Sequence, residues 1–533
     1  MKNILNKIAL IFVAGCTLLL GGIFSCTDLD EVVYDQIPSD EYLKTEAQIN
    51  SIIGPVYKSL KSFWPGDMFC VIEEAGDMAV TPTRSGGDWW DGGFHMEMGL
   101  RTWTARNNLI RNCWNQITSG ITRANQVISI LENAEMDAAT RTQVIAEIRG
   151  VRAFWYYVLI DMFGNGPLTS DFKPEVPGMS SRKELYTFVV SELNAIKDVV
   201  RSQINSSSYG KFTKGAAYTL LAKMYLNAQV WTGEPLTATA PGTLGQAKWQ
   251  EVIDACDVVM GMSYIIEPNW KTSFSVNNQT SQEIIFPITF GRSDGGNHLH
   301  YRTLHYLTPP ALGMNLGTWN GICAAPDYVK QFDVEDQRFE GSFMMGPIIN
   351  PATGTVFITA HGRPLIHSID LTKIPGTEKS DARWSEVNQE DGARVNKWEY
   401  ERGLSSSEQE NDFAIFRLAD VYLMKAEALT RLGTNNAEAT RLVNVIRERG
   451  FGNPSKNYTS VTLDDIYLER RLELAWENYS RQDRIRFGTF DESGFDWRPG
   501  NTEPYLRLFP IPYEAYQTNN KLVQNPVYPA FSN

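Results

Sequence analysis

Leu221-Ala222-Lys223-Met224-Tyr225-Leu226 and Leu418-Ala419-Asp420-Val421-Tyr422-Leu423 are two copies of one pattern, Leu-Ala-x-x-Tyr-Leu. In a helix, positions four apart lie one above the other, so Leu pairs with Tyr and Ala with Leu on one face. The small residue lets a second helix approach, and the aromatic fills the gap beyond it. Arg152-Ala153-Phe154-Trp155-Tyr156-Tyr157 is a weaker relative of the same face. Recurrence of the pattern favours repeated helix pairs over unrelated helix packing.

The surrounding sequence extends this reading. Ile117, Ile121, Ala124, Ile128 and Leu131 keep a helical period, as do Ile145, Ile148, Val151, Trp155, Leu159 and Met162. Further helices are expected over 185–200, 213–230, 246–262, 413–432, 437–450 and 463–486, and a first one after an N-cap at Ser39-Asp40. Residues 62–104, with four glycines between Ser85 and Phe94, read as irregular. From about 268 to 412 the helical period is lost, and Glu283–Thr289 is the one good strand. So long a stretch must be a loop-rich subdomain laid over the helices. The expected fold is mostly α: TPR-like helix pairs forming a scaffold, with a loop-rich subdomain containing short strands. The chain divides into a signal segment (1–25) and one domain (26–533). Within the domain, 27–265 is helical, 266–412 is the ligand-side loop region, and 413–533 holds the C-terminal helices and tail.

Lys2 and Lys7 precede an apolar run from Ile8 to Phe24, the form of a secretory signal and short for a membrane span. Ile23-Phe24-Ser25-Cys26 resembles a bacterial lipobox, with Phe24 bulkier than usual. Cleavage there would leave Cys26 lipidated and the rest tethered to a membrane by that anchor alone. Losing the two lysines takes the net charge from −13 to −15. With no basic run, such a chain is not built to bind nucleic acid. Cys70, Cys113, Cys256 and Cys323 form no metal-like pair and read as buried free thiols.

Fourteen Trp are more than a core requires. Trp89 and Trp90 stand in a glycine-flanked loop between Asp88 and Asp91. A sugar ring has an apolar face for an indole and a rim of hydroxyls for carboxylates, so these residues are the leading ligand candidates, one ring expected exposed and one buried. Trp319, Tyr301, Tyr306 and Arg292 are a second group, since a guanidinium can lie along a ring or bind hydroxyls; Trp384 and Trp398 are weaker. Glu73, Glu74 and Asp77 could serve a glycosidase, but in an acidic chain they read as a solvated face. His298, His300 and His305 lack the spacing and partners of a zinc site, and Asp333-Val334-Glu335-Asp336 lacks the glycine and distal Glu of a calcium loop. No phosphate loop, dinucleotide fingerprint or nucleophile elbow is present. No metal and no cofactor are expected.

Taken together, the chain resembles the SusD/RagB outer-membrane lipoproteins of Bacteroidetes. The resemblance runs through Cys26-Thr27-Asp28-Leu29-Asp30, Ile121-Thr122-Arg123-Ala124-Asn125, Arg152–Tyr157 with Phe163-Gly164, Lys214–Ala217 and Leu221–Leu226. It continues through Glu283–Pro287, Arg417–Ala428, Glu469–Leu474, Asp483–Gly488, Phe509–Pro512 and Gln524–Pro526. The family's turn after Phe163 differs here, reading Gly164-Asn165-Gly166-Pro167. The resemblance implies four TPR-like helix pairs, a surface lipoprotein on the extracellular side of the outer membrane, and no catalysis. Asp28, Asp30 and Glu31 look like that group's export signal. It also implies capture of a glycan, delivered to a partner SusC-like TonB-dependent barrel. Peptide capture on the same fold is the alternative, and a lipid-anchored glycoside hydrolase a more distant one.

Overall fold

A computed structural model describes residue 43 and residues 45–531, apart from 238–241, 294, 407 and 495. The signal segment, Cys26 and the N-cap proposed at Ser39-Asp40 lie outside the described residues. The first described helix, α1 (Glu46–Ser59), starts instead at Thr45, whose hydroxyl and Gln48 close a capping box. The stretch 62–104 is less irregular than its glycines predict. It holds α2 (Asp67–Ala75), the short strand β1 (Ala79–Val80) and α3 (Phe94–Leu100).

Two long helices follow, α4 (Asn108–Glu132) and α5 (Ala138–Met162). The Asn107 side chain accepts from the N–H groups of Leu109 and Ile110, and Asp137 from Thr140, satisfying donors that have no partner within the helix. Ile117, Ile121, Ala124, Ile128 and Leu131 are all buried. Gly120 permits the close approach of the pair: a Cβ there would lie 2.3 Å from the Trp155 indole nitrogen. Next come α6 (Arg182–Ile196), capped by a Ser181–Glu184 box, α7 (Lys214–Leu226) and α8 (Trp249–Met260). Each of α4 to α8 packs on the next in sequence.

The C-terminal part departs from the expected helices in two places. Residues 413–417 are a strand, β4 (Phe413–Arg417), antiparallel to β2 (Ile284–Ile288). All five residues of each are buried, and a short apolar run buried on both faces has no period that separates strand from helix. The helical region α10 then begins only at Leu418 (Leu418–Leu432; the loop-region helix α9, Leu299–Thr303, precedes it), followed by α11 (Asn436–Phe451). The span 463–486 is broken into α12 (Leu463–Glu473) and α13 (Ser480–Phe487). Trp476 and Asn478 take positive φ at the break. Distant contacts hold it: the Asn478 N–H donates to Glu73 (2.5 Å), its amide to the Phe63 carbonyl (2.9 Å), and the Trp476 indole to Ser342 (3.1 Å).

The two copies of Leu-Ala-x-x-Tyr-Leu face one another. α7 and α10 are in contact, and their third positions, Lys223 and Asp420, form a buried ion pair that Arg470 joins from α12. Burial opposes ionisation of Asp420, but Lys223 and Arg470 overcome it and hold the carboxyl down to about 2. A second network fixes the loop region to this scaffold. Arg417 of β4 pairs with Glu283, Glu473 and Glu477, and Lys397 from the loop region pairs with Glu477. Cys70, Cys113, Cys256 and Cys323 are free and buried.

Candidate functional site

β1 pairs antiparallel with β3 (Cys323–Ala324), matching Val80 to Cys323. That single pairing places the loop after β1, which carries Asp88, Trp89 and Trp90, beside the segment that enters β3, which carries Trp319. The Trp89 indole donates to the Trp319 carbonyl at 2.5 Å, and the Trp319 N–H donates to the Tyr301 carbonyl at 2.8 Å. Tyr301 lies on α9 and its ring stacks on Trp319, centroids 5.0 Å apart and planes 21° apart. His298 stacks beyond Tyr301 at 6.1 Å. On the other side, Trp89 tilts 50° to Trp319 at 6.4 Å. Four rings, His298, Tyr301, Trp319 and Trp89, thus form a continuous arc. Trp319, near its middle, is 50% exposed.

The arc is rigid because what lies under it is dense. A Cβ at Gly321 would lie 2.5 Å from the Trp89 ring, so the indole rests directly on backbone. His95 meets the edge of Trp89 at 5.6 Å and shares its Nδ1 with Glu74, which also accepts from Thr81. Asn320 takes positive φ next to Trp319. Arg84 donates to the carbonyls of Asn320 and Gly321, while Arg394 donates to the Asn320 side chain at 2.7 Å. Both arginines are fully buried. Arg84, Arg394 and Asn320 were not singled out in the sequence; only Asn320's place in a Gly-Thr-Trp-Asn-Gly turn hinted at a special backbone.

The other candidates fall as follows. Trp89 and Trp90 are both half-buried, rather than one exposed and one buried. Trp90 leans into a small cluster with Met96 and Trp384, with the Lys379 ammonium 5.6 Å from its ring. Asp88 is exposed and accepts from the Tyr306 hydroxyl at 2.6 Å. Arg292 is paired with Glu401 and Glu410, so its guanidinium has carboxylate partners rather than a ring of the arc. Trp384 and Trp398 are core residues, 0% and 1% exposed. Cys323 packs in the cluster beneath Trp90.

Glu73, Glu74 and Asp77 are buried, contrary to the solvated face expected of them. Each enters a separate network: Glu73 with Asn478 and Ser480, Glu74 with His95 and Thr81, Asp77 with Arg101, Arg484 and Arg498. For Glu73 and Asp77 the cause is hidden because Asn478, Ser480, Arg484 and Arg498 lie far along the chain, whereas the partners of Glu74, Thr81 and His95, follow it closely. Burial pushes the Glu73 carboxyl up to about 8. His300 and His305 are likewise buried, which lowers them to about 4 and about 3, while His298 is exposed toward Glu408. Among the described residues no group of three or more His, Cys, Asp or Glu is placed to hold a metal ion.

Comparison with known proteins fits this architecture. The SusD family model matches residues 282–528, and a second model, described as starch-binding associating with outer membrane, matches 29–226. This chain belongs to the SusD/RagB family. It is 28% identical to the starch-binding protein SusD of Bacteroides thetaiotaomicron over 433 residues, 74% of each chain. A laminarin-binding SusD-like protein shares the fold with a TM-score of 0.72 at 22% identity, covering 91% of this chain and all of that one. A surface glycan-binding protein A from Bacteroides thetaiotaomicron, solved with laminarihexaose, superposes with a TM-score of 0.70 at 20% identity, covering 90% of this chain and all of that one. Among the described residues no helix is long and apolar enough to cross a membrane.

Proposed function

We propose that this SusD-like protein captures a glycan on the arc of Tyr301, Trp319 and Trp89. The half-exposed Trp319, stacked on Tyr301 and fixed by a hydrogen bond to Trp89, is the observation that carries the reading. Successive sugar rings of a polymer present apolar faces at intervals, and an arc of rings set at changing angles suits a curved chain better than a flat one. Asp88, with the Tyr306 hydroxyl at its side, and exposed His298 supply rim groups for hydroxyls. The relatives named for starch and laminarin binding support a glycan as ligand.

In this reading Cys26 carries the lipid, the protein faces outward from the outer membrane, and a SusC-like TonB-dependent barrel receives the ligand. The protein binds and does not catalyse: Glu73, Glu74 and Asp77 are committed to separate internal partners. The test is native affinity electrophoresis against a polysaccharide panel that includes starch and laminarin, with wild type beside Trp89→Ala, Trp90→Ala and Trp319→Ala. Retardation by one polysaccharide that Trp319→Ala abolishes is the expected result. No retardation by any, or retardation indifferent to Trp319 and Trp89, would overturn the assignment, as would release of reducing ends.

A further inference from the structure

A second cleft, of 270 Å³, opens between α12, α13 and the end of α2, where Tyr467, Arg471, Arg484, Thr489 and Asp77 line it. Its charge is unusual for so acidic a chain. Arg101, Arg484 and Arg498 all converge on one oxygen, Oδ2 of Asp77. Three guanidinium groups therefore share one carboxylate, and the side chains of Arg101 and Arg498 are at most 1% exposed. Arg471, on the cleft wall, adds a fourth. Its guanidinium sits 4.9 Å from the Tyr328 ring and 5.5 Å from the Tyr467 ring and donates to Gln331 and to the Tyr467 hydroxyl. Among the described residues no carboxylate lies within ion-pair distance of Arg471. The acidic groups at the rim, Asp327 and Glu492, are exposed to solvent, which screens them.

Hydrogen bonding at the same place is incomplete. The Nε–H groups of Arg101, Arg484 and Arg498 are buried without a partner, as is Oδ1 of Asp77. Arg484 and Asp77, both lining the cleft, have side chains 9% and 4% exposed. Buried donors left unpaired cost free energy, and an excess of buried positive charge costs more. Of these groups Arg484 lines the cleft with Arg471, and a ligand that supplies negative oxygens there can pair with both while offsetting the charge of Arg101 and Arg498 behind them, because an arginine fork matches an oxyanion. The lone acceptor Asp77 Oδ1 calls for a donor beside it. A hydroxyl next to the oxyanion meets that need.

We propose that this cleft binds a small oxyanion carrying an adjacent hydroxyl, of the size and chemistry of a single sugar acid. The anionic group pairs with Arg471 and Arg484, and the hydroxyl donates to Asp77 Oδ1. The volume accommodates one sugar ring and no polymer. The site is separate from the aromatic arc and draws on none of its residues.

Thermal melts and calorimetric titration at constant chloride ionic strength test this, using the purified protein with glucuronate, glucose, inorganic phosphate and sulfate. Glucuronate at about 100 times its Kd should raise the melting temperature by about 2–3 °C, whereas glucose should not. Arg471→Gln should weaken glucuronate at least tenfold, and Arg471→Lys should fall between, since an ammonium keeps the charge and loses the fork. Trp319→Ala should leave glucuronate binding intact. Phosphate or sulfate binding as tightly as glucuronate would replace the sugar acid with an inorganic ion as occupant and overturn the role given to the hydroxyl. No response to any oxyanion, or equal binding by wild type and Arg471→Gln, would overturn the site altogether.

Discussion

Removing Asp420 should cost about twice as much as removing its partner Lys223, and removing both should cost less than removing Asp420 alone. The side chains are 0% and 1% exposed, so neither charge is solvated. In Asp420→Ala, the Lys223 ammonium loses its ion-pair partner and keeps the Tyr479 ring at 3.9 Å and the Phe416 ring at 5.7 Å, with the Asp483 carboxylate attracting it from further off. An uncompensated buried charge of this kind costs about 3–5 kcal/mol. In Lys223→Met, Asp420 keeps Arg470 at 2.9 Å, so the loss should be about half as large. In the double variant Lys223 is gone, and Arg470 still holds Asp483 at 2.8 Å. The coupling between the two sites should therefore reach about 2 kcal/mol or more. With a melting entropy of about 1 kcal/mol per kelvin for a chain of this size, Asp420→Ala should lower Tm by about 4 °C, and the double variant should recover part of that. Calorimetric melts at pH 7 give all four corners of the cycle. The sign with pH is fixed too. The folded carboxyl is held down to about 2, below the ordinary 3.8, so its stabilisation is present above about pH 4 and fades as pH falls through about 2. A Tm change under 1 °C for Asp420→Ala, or a double variant equal to the sum of the singles, would refute the claim that the two repeats are joined through this pair.

Three further outcomes are expected. Trp319→Ala removes a half-exposed indole, about 100 Å² of apolar contact, and at about 25 cal/mol per Å² should weaken glycan binding roughly 70-fold with little change in Tm, read by titration against the polysaccharide identified on gels. Gly321→Ala should weaken the same binding at least tenfold although it adds only a methyl group, because a Cβ there falls 2.5 Å from the Trp89 ring and 2.7 Å from the Arg302 carbonyl; unchanged affinity would mean that Trp89 does not contribute to the arc. Glu73, pushed up to about 8 by burial, keeps its proton in the folded protein at neutral pH. Its contribution is full below about pH 4.5 and is lost as pH rises through about 8, so melts from pH 5 to 8 should show wild type falling relative to Glu73→Gln by about 1 kcal/mol per pH unit, and parallel curves would contradict a protonated Glu73.

What sequence could reveal here depended on distance along the chain. Ile117, Ile121 and Ala124 declare a buried face because their neighbours on the helix are three and four residues away, and periodicity records such spacing. The Leu-Ala-x-x-Tyr-Leu copies declared a repeat for the same reason. That Lys223 and Asp420 occupy equivalent positions was visible in the alignment of the copies; that they meet was not, since the pattern says which face packs and not on which partner. Phe413–Arg417 was misread because its partner strand lies more than a hundred residues earlier, and the break at Trp476–Asn478 because Phe63, Glu73 and Ser342 impose it from outside. The site obeys the same rule. Glycines and tryptophans marked the loop at 85–94 and the turn at 315–321 as unusual, which placed Trp89 and Trp319 among the candidates. The pairing of Val80 with Cys323 makes them one surface, and a two-residue strand leaves almost no sequence trace. Arg84 and Arg394 were invisible for a further reason: a charged residue in an acidic chain is expected at the surface, and only the positive φ of Asn320 and the carbonyls around it give two buried guanidinium groups something to hold. Binding surfaces built by loops on a repeat scaffold will generally read this way, with ring residues evident and the groups that aim them concealed.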